Sequence, residues 1–326
     1  KDTGGVNNRE ISMEELKAMK KREIPVTIQC AGNRRSQFEE VKKTQGISWG
    51  TGAASTAVFG GVLLRDVLAH CGLTDPDGVG AEHVHFKAGD DMQASIPIGK
   101  AMSPTGDVML AYEMNGEPIP ADHGFPLRAV VPGHVGVRNV KWVQGVVVAK
   151  EEAEGMWQRG VAYKGFPASM TDLGNVSAHQ VDSAHAVQEL PVQSVILNPQ
   201  LGSAPAKVSP DGEVSVGGWA WSGGGRGIVR VEVTTDGGET WVAAELGKGS
   251  EQKMDRAWAW TFWRASVKVP ESALKGAKAG EFEIACRATD ASYNTQVQSP
   301  KTIWNVRGLN NTSWHRRTIR VDPKKP

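Results

Sequence analysis

The stretch Thr27-Ile28-Gln29-Cys30-Ala31-Gly32-Asn33-Arg34-Arg35 sets one thiol beside two adjacent guanidinium groups. Val26, Thr27 and Ile28 are β-branched and predict a short buried strand that ends at Gln29. Cys30 then stands at the strand end, and the Gly, Asn and Arg that follow predict a loop. A thiol between a strand end and two arginines sits in a field that favours the thiolate, a soft ligand suited to a redox metal. The arginines offer forked donors that match an oxyanion. Metal ligand plus oxyanion clamp is one reading. A buried structural cysteine followed by surface arginines is the other. The nine residues alone leave both open.

Several elements must position this loop. Ser12 and Glu15 form a capping box that predicts a helix to about Met19. Pro25 then introduces the strand that delivers Cys30. Gly46 to Gly61 is rich in small residues, which suits either close backbone approach to a bulky ligand or a flexible loop. Leu64, Val67, Leu68 and Cys71 share a helical face, with Gly72 as the stop, so Cys71 is expected in the core. His83 and His85 would share a strand face; without a third ligand nearby they are expected to be solvated or hydrogen-bonded.

From Gly106 to Lys150 the pattern is strands and tight turns, with Asn115-Gly116 as a hairpin signal and Ala129–Val131 and Val146–Val148 as buried strands. His123, Arg128 and Lys141 are polar groups in these apolar surroundings, and a phosphate would satisfy them. Residues 151–189 are polar and irregular, and a domain boundary is expected near Leu190. Eight of the eleven tryptophans lie from Trp219 onward, which gives the second part its own aromatic core. Alternation over Ile228–Thr234, Arg256–Trp263 and Glu281–Arg287, with Asp236-Gly237-Gly238 as a turn, predicts an all-β sandwich.

At 326 residues the chain has room for two domains. A formal charge of +1 gives no argument for nucleic acid or an acidic membrane, and no apolar run approaches a span of ~20 residues. Three scattered cysteines make no disulfide framework, and the absence of Cys-x-x-Cys-His means that no c-type haem site is expected. Lys1 is not an initiator Met and no signal peptide is visible, so a mature or trimmed product is expected.

The loop Cys30-Ala31-Gly32-Asn33-Arg34-Arg35 resembles the molybdenum-ligand loop of the sulfite oxidase family, which includes eukaryotic assimilatory nitrate reductases and bacterial sulfite dehydrogenases. The resemblance runs on through Gly46-Ile47-Ser48-Trp49, Tyr112-Glu113-Met114-Asn115-Gly116 and Asp122-His123-Gly124-Phe125-Pro126-Leu127-Arg128. It continues through Val140-Lys141-Trp142, Tyr163-Lys164-Gly165-Phe166 and Leu190-Pro191-Val192-Gln193-Ser194, and ends with Trp304-Asn305-Val306-Arg307-Gly308 and Trp314-His315-Arg316. It implies an α+β chain: a mixed α/β molybdopterin-binding domain over 1–189, then an immunoglobulin-like β-sandwich over 190–326 that mediates dimerisation.

By resemblance, Cys30 ligates the molybdenum of a molybdenum–molybdopterin cofactor. Arg35 helps hold the oxyanion, Tyr163 donates to it and Trp49 walls the pocket. Asp90, His123, Arg128, Asn139, Val140 and Lys141 match positions that contact the pterin and its phosphate. Arg307 stands where nitrate reductases carry Met, and a third positive group favours doubly charged sulfite over nitrate. Oxidation of sulfite to sulfate, with electrons passed to an external acceptor such as a cytochrome c, is therefore expected. Reduction of nitrate or another oxyanion, or a silent oxyanion-binding protein, are the alternatives.

Ala162 and Gln45 depart from the Asp and Lys of vertebrate members, which bears on electron or proton delivery. The family also carries a pocket arginine upstream of the first residue here. With no haem domain expected and no peroxisomal signal in Asp322-Pro323-Lys324-Lys325-Pro326, the resemblance points to a stand-alone bacterial, periplasmic homodimer.

Overall fold

The strand that carries Cys30 is longer than its β-branched run. The computed structural model describes residues 8–200, 202, 204–275 and 280–322. Lys1 and residues 323–326, read above for processing and targeting, lie outside them. The chain divides into two compact units: residues 1–190 with Trp304–Asn310, and residues 191–303 with 311–326. The segment Trp304–Asn310, placed in the second domain by the sequence reading, clusters with the first unit.

In the first unit, α1 (Met13–Ala18) begins at the Ser12–Glu15 capping box. It leads to β1 (Lys21–Gln29), α2 (Arg35–Glu39), β2 (Ala54–Leu63) and α3 (Leu64–His70). Next come β3 (His83–Ala88), β4 (Gln93–Pro97), α4 (Ile98–Met102), β5 (Met109–Met114), β6 (Glu117–Pro118), β7 (Arg128–Val130) and β8 (Val143–Ala149). One sheet has the order β1-β2-β5-β6, with β7 on β5; the other is β4-β3-β8. All pairings are antiparallel. The β1–β2 register sets Gln29 against Ala54, so the small-residue stretch lies beside Cys30. Positive φ at both Asn115 (54°) and Gly116 (83°) makes the tight β5–β6 hairpin. A core from Leu16, Leu64, Val84, Phe86, Ile96, Leu110 and Val131 joins the helices to the sheets.

In the second unit, β9 (Gln193–Asn198), β10 (Glu213–Trp221), β13 (Glu245–Leu246) and β14 (Thr261–Lys268) form one sheet, in the order β13-β14-β10-β9. The other runs β12 (Val242–Ala243), β11 (Ile228–Thr234), β15 (Glu281–Asp290), β16 (His315–Arg320). Inward residues of both, among them Val214, Val216, Trp263, Val231, Val233, Ile284 and Cys286, share one core. That is a β-sandwich built by alternation.

Three local expectations change. Arg256–Trp260 is loop, because the Gln252 side chain takes both the N–H (2.8 Å) and the C=O (2.9 Å) of Ala259; the strand starts at Thr261. Val146–Val148 are half-buried, not buried, because they line a cavity and not a filled core. Cys71 is half-buried at the rim of a cavity of about 820 Å³ and not in the core. His85 Nε2 bonds the Glu151 carbonyl at 2.7 Å. No helix among the described residues is long and apolar enough to cross a membrane.

Candidate active site

Cys30 leaves β1 with its N–H bonded to the Ala53 carbonyl (2.9 Å), and the Gly32 N–H points at its Sγ (3.4 Å). Asn33 is fully buried, and its Oδ1 accepts from the Ala53 N–H (3.1 Å), which ties the turn to the small-residue stretch. Arg34 adopts a left-handed conformation (φ 63°) that diverts its side chain inward. It is fully buried, with Nε bonded to Gln37 Oε1 (2.9 Å). The adjacent arginines therefore separate. Arg34 holds the turn, and Arg35 alone enters the site.

Arg35 gives its Nε to the carbonyls of Arg307 (3.0 Å) and Gly308 (3.2 Å) and its Nη1 to that of Ile47 (2.6 Å). Three glycines make room for it. A Cβ on Gly32, Gly46 or Gly308 would come within 2.4, 2.7 and 2.5 Å of the Arg35 side chain. Further bonds dock the segment from Trp304: Gln45 N–H to Val306 O (2.7 Å), Trp304 Nε1 to Lys42 O (2.9 Å), Asn310 N–H to Ala31 O (2.8 Å). Much of what Arg35 contributes is therefore scaffold and charge. It brings Arg307, distant in sequence, next to the Cys30 loop.

Arg307 is half-buried, and its Nε is buried without a hydrogen-bond partner among the described residues. Burial, then the neighbouring Arg35 charge, lowers its proton affinity. Burial likewise lowers that of Arg35, which Cys30 and Tyr163 partly offset. Tyr163 ends a short 3-10 turn (Val161–Tyr163), and its hydroxyl reaches the Cys30 thiol. Burial, then Cys30, pushes its pKa up to about 12, so it remains a proton donor.

Of these groups Cys30 and Tyr163 border a cleft of about 390 Å³, lined also by Ile28, Gly52, Ala53, Ala54, Ser55, Gly136 and Val137. The small side chains leave room for a bulky group against the thiol. The unpartnered Arg307 Nε and Asn33 Nδ2 are buried donors that lack acceptors among the described residues. A cysteine sulfur in a roomy cleft, with buried donors nearby that lack acceptors, fits a cofactor-borne metal and an oxyanion. Trp49 is exposed, and its backbone carbonyl accepts from Ser36 N–H (3.1 Å).

The expected pterin-contacting residues form a second group, which continues from Gly136 and Val137 of the cleft. Arg128 is buried, and its guanidinium bonds the carbonyls of His123 (2.9 Å) and Asn139 (3.0 Å). Burial pushes its pKa down to about 10. Asn139 Oδ1 accepts from Val131 N–H (2.7 Å), and Val140 O accepts from Ala129 N–H (2.8 Å). Lys141 Nζ caps the Asp122 carbonyl (2.8 Å). Gly124 (φ 115°) allows this approach, since a Cβ there would meet the Cβ atoms of Arg128 and Lys141 at 3.1 Å. His123 is exposed. Asp90 is exposed in the β3–β4 turn and accepts from Met92 N–H (3.3 Å); Gly89 N–H bonds Trp142 O (3.1 Å), so this turn also borders the group. Sequence reasoning missed the roles of Asn33 and of the glycine cradle. The signal for the cradle lay in Gly32, Gly46 and Gly308, inside motifs already read for other residues.

Comparison with known proteins agrees with this geometry. Residues 3–157 match the oxidoreductase molybdopterin binding domain and residues 184–322 the Mo-co oxidoreductase dimerisation domain. The chain is 46% identical to the mitochondrial sulfite oxidase of Mus musculus over 98% of its own length, and spans 56% of that protein. It is 38% identical to the sulfite oxidase of Arabidopsis thaliana, covering 98% of this chain and 81% of that one. A sulfane dehydrogenase structure from Paracoccus pantotrophus superposes with a TM-score of 0.74 at 22% identity, over 96% of this chain and 74% of that one, and so shares the fold. The chain thus covers little more than half of the mouse relative and most of the plant one, and it belongs to the sulfite oxidase family of molybdenum oxidoreductases.

Proposed function

We propose that this chain oxidises sulfite to sulfate on a molybdenum–molybdopterin cofactor held by Cys30 and passes the electrons to an external acceptor such as a cytochrome c. The observation that carries the reading is the pair Arg35 and Arg307, two half-buried or buried like charges beside Cys30 and Tyr163, with the Arg307 Nε unpartnered. Like charges repel in a site of low dielectric, and a dianion between them turns that cost into binding. Each charge-assisted hydrogen bond there contributes about 1.5–3 kcal/mol. A planar monoanion such as nitrate would balance only one of the two.

When bound, the cofactor would take up two electrons from sulfite and supply the oxygen that completes sulfate. The protein's part is positional. Cys30 anchors the group at the strand end, with the Gly32 N–H directed at its sulfur. Arg307 orients the anion, and the Arg35 charge holds it in place. Tyr163, with its pKa pushed up to about 12, keeps its proton and donates a hydrogen bond rather than accepting one. Arg128, Asn139 and Lys141, on the far side of the Gly136–Arg138 turn, would face the pterin and its phosphate. Dimerisation through the second unit and a periplasmic location belong to the same reading, supported by the matched dimerisation domain for the first and by analogy alone for the second.

The test is sulfite oxidation with ferricyanide or cytochrome c, with molybdenum measured on the same samples. Turnover should scale with molybdenum content, and Cys30→Ser should abolish turnover while the fold melts as before. Molybdenum without sulfite turnover, or turnover in Cys30→Ser, would overturn the reading.

A further inference from the structure

Arg138 is fully buried, yet it was not among the residues expected at the site. It ends the Gly136–Arg138 turn, whose first two residues line the cleft beside Cys30. Its guanidinium bonds two other segments. Nε and Nη2 donate to the Val187 carbonyl (3.1 and 2.9 Å); Nη1 donates to the Trp157 carbonyl (2.9 Å) and to Gln158 Oε1. Both segments flank Tyr163. The Val187 N–H donates to the Tyr163 carbonyl (2.8 Å), and the Trp157 ring lies 6.0 Å from the Tyr163 ring.

One buried planar cation thus joins the cleft wall to both strands of chain that hold the tyrosine. The stretch 151–189 is mostly irregular, so few backbone ladders fix Tyr163 otherwise. A buried guanidinium is costly unless its donors are met, and here they are met by carbonyls whose positions it thereby sets.

The geometry points to Arg138 as a positioning residue that holds Tyr163 over Cys30 by tying Trp157, Gln158 and Val187 to the Gly136–Arg138 turn. It does not touch substrate and acts through Tyr163. This rests on the assignment of Tyr163 to the site made above.

The experiment is a double-mutant cycle on the molybdenum-loaded full chain: parent, Arg138→Lys, Tyr163→Phe and the double variant, with rates normalised to molybdenum. Arg138→Lys keeps the charge and loses the fork. It should lower kcat by about 10–100-fold, since small misplacements of a reacting group cost that much, and leave KM nearly unchanged. In the Tyr163→Phe background the same change should cost no more than about 2-fold, the non-additivity of residues that act as one unit. Amide exchange supplies a second readout: the Val187 N–H should exchange faster in Arg138→Lys while the β1–β2 amides stay as in the parent. If Arg138→Lys does not fold, Gln158→Met, which removes the acceptor that Arg138 Nη1 shares with the Ser95 N–H, takes its place in the cycle, with Ser95→Ala as the control for the Ser95 segment. A full penalty in the Tyr163→Phe background, or parent-rate exchange at Val187, overturns the proposal. If the parent fails to oxidise sulfite, the functional reading falls and the exchange result alone decides this one.

Discussion

Arg226 and Arg287 in the sandwich and Arg307 in the first unit meet opposite surroundings. In the sandwich, Arg287 donates to Glu232 (3.0 Å) and lies 3.8 Å from the centre of the Trp241 ring. Arg226 reaches the fully buried Asp290 at 3.0 Å, and Ser222 and Asn294 bond the same carboxylate. The charge of these two arginines is balanced inside the fold. In the first unit, Arg35 lies close enough to Arg307 to lower its proton affinity, and the Arg307 Nε has no partner among the described residues. Charge there awaits a ligand. A paired, stacked arginine stabilises, whereas an unpaired one beside a like charge marks a binding site held at a cost to stability.

That contrast breaks most sharply at Arg307. Arg307→Met should lower kcat/KM for sulfite by about 10²–10³-fold, the scale for losing one donor to a developing anion. Its Tm should be unchanged or higher, since a repulsion is removed. Arg287→Met should do the reverse, with turnover per molybdenum intact and a lower Tm in thermal melts. An Arg307 variant that loses Tm and activity together would erase the distinction.

Asp290 sharpens it on the sandwich side. Burial raises its pKa, but hydrogen bonds from Asn294, Ser222 and Arg226 outweigh that and hold the carboxyl below the usual range. A depressed pKa stabilises the fold above the unfolded value of about 3.9, and that contribution is lost as pH falls through the folded one. Asp290→Asn should therefore cost about 1–3 kcal/mol near neutral pH, and the gap to the parent should narrow in acid. Urea melts at neutral and acidic pH check this; a gap independent of pH would assign the effect to packing.

The smallest effect concerns Tyr163. With its pKa pushed up to about 12, its proton should persist across the working range, so kcat should show no alkaline loss that Tyr163→Phe removes. A limb near pH 10, the ordinary tyrosine value, that vanishes in Tyr163→Phe would show a wetter, looser site than the one described.

Much of this was legible in order along the chain. The capping box at Ser12, the Asn115-Gly116 hairpin and the alternation of Ile228–Thr234 each declare themselves through local chemistry. The misreadings share one cause. Cys71, Val146–Val148 and Arg256–Trp260 have the local pattern of core or strand, but burial and backbone pairing depend on what the fold sets against them. Motif similarity found Arg35, Tyr163 and Arg307. It could not tell that Arg35 would meet backbone carbonyls, because hydrogen-bond partners hundreds of residues away leave no local trace.

The sequence by itself determined the cysteine at a strand end, the small residues opposite it and the two-part organisation, since strand propensity, side-chain volume and alternation act over neighbouring residues. Tertiary structure alone decided that Arg34 turns to Gln37 while Arg35 turns to the Ile47, Arg307 and Gly308 carbonyls. It also decided that Trp304–Asn310 returns to the first unit, and that Arg138 ties the segments around Tyr163 together. Those outcomes depend on which carbonyls and glycines the folded chain brings within a few ångströms of a guanidinium, and only long-range packing sets that.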